Sequence, residues 1–320
     1  MSADLKEAEE RIRELGFGRA GKSKQRLLNR DGTFNVQRRG LSYAESRTLF
    51  NSLVTMSWPQ FLAVVVACYL GVNRFFALLY ALCDEEALIF PADYPLGRFA
   101  GAFFFSVQTL ATIGYGQILP VGLLANLLVT VEALIGLLAF SIATGFLFAR
   151  ISRPTARILF SERALIAPFE GGTALMFRLA NARSSQLIEV EARVILSRFE
   201  GEGAARKREY YTLDLEYSKV TFLSLSWTVV HPIGPESPFA GVPQEELVAS
   251  EAEILILLTA TDDVFSQTVH ARSSYKAEEI VWAAKFVSMY SSEPDGAPLA
   301  VDIGRLSEFE YVGTAKVRAA

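Results

Sequence analysis

The chain has 320 residues, 51% of them hydrophobic, with a mean hydropathy of +0.27, a formal net charge of −4 and a pI near 5.5. It is too apolar for a disordered chain and richer in apolar residues than an ordinary soluble domain. The acidic balance excludes a nucleic-acid binder that draws its affinity from a broadly basic face. The two cysteines, Cys68 and Cys83, fall in or beside apolar stretches and build no disulfide framework.

The first fifty residues are polar and lack an apolar h-region, so the N-terminus is expected to be retained. Residues 1–42 read as a tail. Residues 43–57 mix Leu49, Phe50, Leu53 and Val54 with polar residues, a pattern suited to a helix lying in the membrane interface. Two long apolar stretches follow, 58–82 and 123–148. At 1.5 Å per residue each reaches roughly 37 to 39 Å as a helix, more than a hydrocarbon core of about 30 Å. Asn73 and Arg74 interrupt the first and Glu132 the second. Either Arg74 pairs with Glu132 or Arg74 snorkels outward, since charges at membrane depth usually pair or serve function.

Lys and Arg are dense before the first span, and Arg150, Arg153, Arg157 and Arg163 follow the second, whereas Arg98 stands alone between them. The positive-inside rule places both termini in the cytoplasm. The segment between the spans turns apolar again over residues 99–111, too short to cross and suited to a re-entrant half-helix. Thr112-Ile113-Gly114-Tyr115-Gly116 comes directly after it. Non-helical backbone at membrane depth survives only when buried in protein or lining a water-filled path.

Thr112 to Gly116 matches the selectivity filter of potassium channels. A dehydrating K+ needs oxygens in place of its water shell, and backbone carbonyls supply them if successive peptides face one axis. Gly114 and Gly116, without Cβ, adopt the dihedrals this demands. Thr112 adds a hydroxyl ligand, and the Tyr115 ring braces from behind. One chain supplies a quarter of each carbonyl ring, so a homotetramer is predicted.

Ser106-Val-Gln-Thr-Leu-Ala-Thr-Ile-Gly-Tyr-Gly116, Phe148-Ala-Arg-Ile-Ser-Arg-Pro-Thr-Ala156, Leu225-Ser-Trp-Thr-Val-Val-His-Pro-Ile233, Val269-His-Ala-Arg-Ser-Ser-Tyr275 and Glu279-Ile-Val-Trp282 together resemble the prokaryotic inward-rectifier potassium channels, the KirBac group. The resemblance runs from about residue 28 onward. It implies a two-span pore module with a re-entrant pore helix, then a cytoplasmic immunoglobulin-like β-sandwich over 151–320. It also implies a passive channel of the bacterial inner membrane, with K+ as permeant ion, no catalysis and no cofactor. The pore domain is predicted over residues 58–150.

The residues alone predict strands in the second half. Val190, Ala192, Val194 and Leu196 alternate with charged neighbours. So do Tyr211, Leu213, Leu215 and Tyr217 with polar residues, and Leu223, Leu225, Trp227 and Val229 likewise. Residues 254–258 read as a fully buried strand. The resemblance assigns the 260–267 connection to a second constriction below the membrane.

On the second span Gly136, Phe140, Thr144 and Phe148 recur every four residues along one ridge. The ridge lines a cavity or packs apolar surface, and the resemblance assigns Phe148 to the inner constriction, where four rings would block ions by dewetting. Gly136 and Gly145 serve as hinges or as close-packing sites. Phe140 stands where strong rectifiers carry an acidic residue, which predicts weak polyamine or Mg2+ block. Many members carry Glu at the position of Gln108, so Glu132 becomes the alternative brace behind the filter. Arg150, Arg153 and Arg157 form a juxtamembrane basic cluster suited to anionic lipid, and the resemblance implies phosphoinositide regulation.

Other motifs point elsewhere. Gly16-Phe-Gly-Arg-Ala-Gly-Lys-Ser23 satisfies the Walker A pattern but follows a charged segment rather than a buried strand. Nucleotide binding through Lys22 would make the chain a ligand-sensing receptor with the pore secondary, and a pore of altered selectivity is a further reading. Ser273 to Lys276 fits Ser-x-x-Lys without its companion motifs. His231 and His270 lack metal-ligand spacing and read as structural or subunit-contact histidines able to titrate near neutral pH.

Overall fold

The computed structural model describes residues 26–35, 49–91, 94–152, 157–183, 185–203, 206–223, 225–290 and 301–312. The chain divides into two compact units, 39–153 and 1–38 with 154–320. The Walker A match, Arg153 and the first part of the 43–57 segment lie outside the described residues.

In the first unit the order is α1 (Leu49–Thr55), α2 (Trp58–Leu82), β1 (Leu88–Ile89), α3 (Arg98–Leu110), β2 (Leu119–Pro120) and α4 (Gly122–Ile151). Pro59 sits in the first turn of α2, where amides lack helical partners anyway. The Gln60 side chain accepts from the Ser57 amide at 3.2 Å and closes that turn. Asn73, Phe76, Ala77 and Tyr80 form the buried stripe of α2, at the i, i+3, i+4, i+7 spacing of one helix face. They pack with Ala102, Phe105, Leu88 and Ile118, so α3 is held against α2. Most other apolar side chains of α2 and α4 point outward, Leu62, Val66, Leu70, Leu134, Leu138 and Ile142 among them. Helices of 25 and 30 residues that are apolar on faces the protein does not cover have the length and composition to cross a membrane.

The second unit is a β-sandwich. One five-stranded sheet runs β11 (Gln267–Lys276), β10 (Glu253–Asp262), β6 (Leu187–Glu200), β7 (Lys207–Thr212), with β8 (Lys219–Leu223) also on β6. The other runs β12 (Ile280–Trp282), β4 (Ala164–Phe169), β5 (Gly172–Asn181), β3 (Ile158–Phe160), with β9 (Ser226–Pro232) also on β5. β12 pairs with β4 in parallel, and the other pairings in these sheets are antiparallel. Ile166, Leu175, Phe177 and Leu179 from one sheet and Val190, Val194, Leu196, Ile254 and Ile256 from the other share one core.

Two strand expectations are corrected. The ladder of β7 stops at Thr212, and residues 213–218 change sheets: the Leu213 amide donates to Val194 on β6, the Glu216 amide to Val230 on β9. Leu213 and Leu215 keep facing the core, so the alternation in this stretch reports burial and not a continuous strand. The alternation over 223–229 likewise divides between the end of β8 and the start of β9. The connection expected over 260–267 is shorter too, because β10 continues to Asp262 and pairs with β11 up to Gln267. The Asp262 carboxylate accepts the Val264 and Phe265 amides at 3.0 and 3.1 Å and forms the tight tip.

A short N-terminal turn is pinned to this unit. The Glu253 carboxylate accepts the Leu27 and Leu28 amides at 2.8 and 3.1 Å. Arg26 forms a two-pronged pair with Glu279 at 2.8 and 3.2 Å, and Arg30 lies over the Tyr275 ring.

Candidate functional site

Helix α3 delivers the chain to the Thr112–Gly116 segment, and its C-terminal carbonyls shape that segment. The Thr112 amide donates to Thr109 at 3.1 Å. The Ile113 and Gly114 amides both donate to the Gln108 carbonyl, at 2.8 and 3.4 Å. The last four carbonyls of a helix lack intrahelical partners, and here amides of the 112–116 segment supply some. The amides of Thr112, Ile113 and Gly114 are thus turned back to the helix.

The dihedrals alternate. Thr112, Gly114 and Gly116 have φ of 54°, 58° and 76°, whereas Ile113 and Tyr115 between them do not take positive values. Alternation of left-handed and ordinary residues turns successive peptides so that their carbonyls line up on one side, which an ordinary strand does not do. Left-handed backbone costs an L-residue roughly 1–2 kcal/mol, so glycine occupies two of these positions and Thr112 bears the strain. In the single chain all of 112–116 are exposed, Tyr115 most clearly at 71%.

Behind α3 lies a polar cluster that the sequence reading did not assemble. Glu132 on α4 accepts from the Tyr80 hydroxyl on α2 at 2.7 Å, and Ser106 on α3 hydrogen-bonds to its other carboxyl oxygen. Ser106 Oγ also lies 3.0 Å from Asn73 Oδ1 on α2. Asn73, Ser106 and Glu132 are 0% exposed. Of the two alternatives for Arg74, the pair with Glu132 does not form: Arg74 is exposed, and the partners of Glu132 are two hydroxyls. The signal was present in the sequence as three polar residues inside apolar segments, but nothing in one sequence says that they meet.

On α4, Gly136 is buried against the end of α3. A Cβ there would lie 3.1 Å from the Leu110 carbonyl carbon, 3.2 Å from its Cα and closer still to its oxygen. Gly145 has nothing within 4 Å. Phe140 and Phe148 are 74% and 71% exposed in the single chain, and Thr144 is exposed with its hydroxyl donating to the Phe140 carbonyl at 2.9 Å. α4 runs unbroken past all of them.

Arg150, expected in the lipid-binding cluster, is bonded to α1. Its guanidinium donates to the carbonyls of Leu53 at 2.6 Å, Val54 at 3.2 Å and Met56 at 2.7 Å, at the C-terminal end of α1. It also lies over the rings of Trp58 and Phe61, 4.7 and 4.6 Å from their centroids. The side chain satisfies carbonyls that a helix end leaves open and favours the negative end of its dipole. Phe50 and Phe146 add a ring contact at 5.5 Å. Arg157 is exposed.

In the second unit His231 is buried with both ring nitrogens engaged, Nδ1 with the Asp214 carbonyl at 2.6 Å and Nε2 with the Ser237 hydroxyl at 2.8 Å. A carbonyl only accepts, so Nδ1 carries the hydrogen and Nε2 accepts from Ser237. Burial holds its pKa below the ordinary imidazole value. His270 contacts Thr259 at 3.3 Å. Among the described residues no group of three or more His, Cys, Asp and Glu is placed to hold a metal ion.

Residues 158–320 match the family described as inward rectifier potassium channel C-terminal domain. Residues 64–153 match the family described as ion channel. The inward rectifier potassium channel Kirbac3.1 of Paramagnetospirillum magnetotacticum is 44% identical over 291 residues, 89% of this chain and 96% of that protein. The chain belongs to the inward-rectifier potassium channel family. The G protein-activated inward rectifier potassium channel 2 of Pongo abelii is 29% identical to the channel, covering 88% of this chain and 71% of that protein. The ATP-sensitive inward rectifier potassium channel 12 of Gallus gallus is also 29% identical, over 83% and 67%. The channel is therefore a membrane protein of ion transport and not an enzyme.

Proposed function

We propose that four copies of the channel place their Thr112–Gly116 segments around one axis and pass K+ through the stacked carbonyls. The alternating φ pattern carries this reading, because it turns carbonyls to one side while the Thr112, Ile113 and Gly114 amides are held by α3. Assembly also gives cover to Ile113 and Tyr115, which one chain leaves exposed.

The ridge of Phe140, Thr144 and Phe148 then lines the inner path, with Phe148 as the constriction. Phe140 has no charge with which to attract polyamines or Mg2+, so block at this site is weak. Gating runs through α1, which Arg150 ties to α4 two residues beyond Phe148. Anionic lipid, phosphoinositide among its forms, acts at Arg153 and the exposed Arg157, with Arg150 serving the coupling instead. The dense Lys and Arg flanks put both termini on the cytoplasmic side of a bacterial inner membrane.

The test is barium-sensitive rubidium uptake into proteoliposomes. Gly114→Ala, forced into left-handed backbone, should abolish uptake, and Phe148→Ala should raise it. Retained selective uptake in Gly114→Ala would refute the filter assignment. Repeating the wild-type measurement with phosphoinositide gives the sign of lipid regulation.

A further inference from the structure

We infer that Glu132 stands in the pore domain as a neutral carboxylic acid, whose proton completes a closed hydrogen-bond chain that positions the pore helix. The inference rests on the filter reading for its functional meaning only; its chemistry follows from counting hydrogens.

Asn73 Nδ2 donates to the Tyr69 carbonyl at 2.7 Å, which fixes Oδ1 as the atom facing Ser106. Ser106 therefore faces two oxygens, Asn73 Oδ1 and a Glu132 carboxyl oxygen, and its hydroxyl has one hydrogen. With Glu132 ionised both neighbours are pure acceptors, and one of the two oxygen contacts lacks a hydrogen in a cluster 0% exposed. With a proton on Glu132 Oε1 every contact is filled. Glu132 donates to Ser106, Ser106 to Asn73 Oδ1, Asn73 Nδ2 to Tyr69, and Tyr80 to Glu132 Oε2.

Nothing described nearby would compensate a bare carboxylate. On α2, Arg74 is exposed, Cys68 is exposed, and Cys83, just past its end, donates to the Leu79 carbonyl. On α3, Arg98 is engaged by the Cys83 and Asp84 carbonyls and by Glu85. On α4 the remaining charge, Arg150, is bonded to α1. Asp84, Glu85 and Glu86 are exposed on the connection after α2. A buried unpaired ion is far more costly than a neutral acid with its hydrogen bonds made.

The cluster makes Glu132 a positioning residue. Ser106 is half a turn from Gln108, whose carbonyl holds the Ile113 and Gly114 amides, so the acid links both spans to the backbone that sets the filter. The experiment is infrared difference spectroscopy of the full channel in lipid vesicles, wild type against Glu132→Gln, with rubidium-to-sodium flux ratios on the same vesicles. At neutral pH the wild type should show a neutral-carboxyl carbonyl stretch that Glu132→Gln lacks. Glutamine offers a donor and an acceptor in the same places, so it should preserve the flux ratio. Glu132→Ala, which strands two buried hydroxyls, should lower the ratio about tenfold or more. The absence of the neutral-carboxyl band, or a Glu132→Gln ratio as low as that of Glu132→Ala, overturns the inference. The band is read without conduction, so a failure of the filter assignment shows separately, as loss of selectivity in the wild type.

Discussion

Replacing Gly136 with alanine tests whether α4 supports the pore helix through close packing. The added Cβ meets the Leu110 carbonyl carbon at 3.1 Å and Cα at 3.2 Å, and these are backbone atoms that no rotamer change can move aside. Overpacking of this kind costs about 1–3 kcal/mol. Alanine gains about 1 kcal/mol of helix propensity over glycine, so the net loss is about 1 kcal/mol, and α3 moves until the Leu110 carbonyl oxygen, the atom nearest the added Cβ, is clear. Gly145→Ala is the internal control, since nothing lies within 4 Å of its Cβ and only the propensity gain remains. The two variants should thus differ by about 2 kcal/mol, with opposite signs. Thermal unfolding of the solubilised channel reads the stability difference, and rubidium-to-sodium flux ratios read the filter. Gly136→Ala should melt lower and select less sharply, because Leu110 lies two residues before Thr112. Equal melting and equal flux ratios in the two variants would refute the packing argument.

Arg150→Met should uncouple α1 from α4 at a cost of about 2–4 kcal/mol, because hydrogen bonds from a charged donor are worth about 1.5–3 kcal/mol each and do not add fully. A double-mutant cycle with Trp58→Leu, scored by rubidium flux, should show a coupling of about 0.5 kcal/mol or more from the stacked guanidinium. His231 has its pKa lowered by burial, so its contribution to stability is complete above the ordinary imidazole value of about 6.5 and is lost as pH falls through that value toward the lowered one. Melting at pH 5 should therefore fall below that at pH 7.5, and His231→Gln should flatten the difference. Arg26→Met removes the pair to Glu279 and should speed amide exchange at Leu27 and Leu28 while exchange in β10 stays slow.

Long-period features were legible in the sequence. The span 58–82 coincides with α2, and the apolar run 99–111 differs from α3 by one residue at each end, because a long, mostly apolar stretch and a following Thr-Ile-Gly-Tyr-Gly leave few alternatives. The alternation at 190–196 marked β6, whose inward residues fill the core. What escaped was pairwise. Tyr80, Ser106 and Glu132 belong to three helices, and their meeting depends on rotation about each axis, which apolar content does not encode. The bonding of Arg150 to α1 escaped for a related reason: a basic residue at a membrane edge has the same sequence appearance whether it faces a headgroup or the carbonyl end of a neighbouring helix. At Leu213 and Leu215 the pattern reported burial while the backbone partners changed sheet, and Tyr217, next in the alternation, is exposed.

The polar anchors of α4 explain how one helix can serve two ends of the pore. Glu132 and Gly136 hold its first half to α3, and Arg150 holds its C-terminal end to α1. From 132 to 150 the helix spans about 27 Å, without an interior proline or a break in its hydrogen bonding. A displacement of α1 is therefore applied close to Phe148, while the Glu132 end resists it. In the proposed gating Gly145 is the point of bending, since nothing lies within 4 Å of a Cβ there, whereas the backbone of Leu110 fills that space at Gly136. Under the proposed function, the ridge of Phe140, Thr144 and Phe148 would move with α1 while the backbone that shapes Thr112–Gly116 stays fixed, separating opening of the path from the geometry that selects the ion.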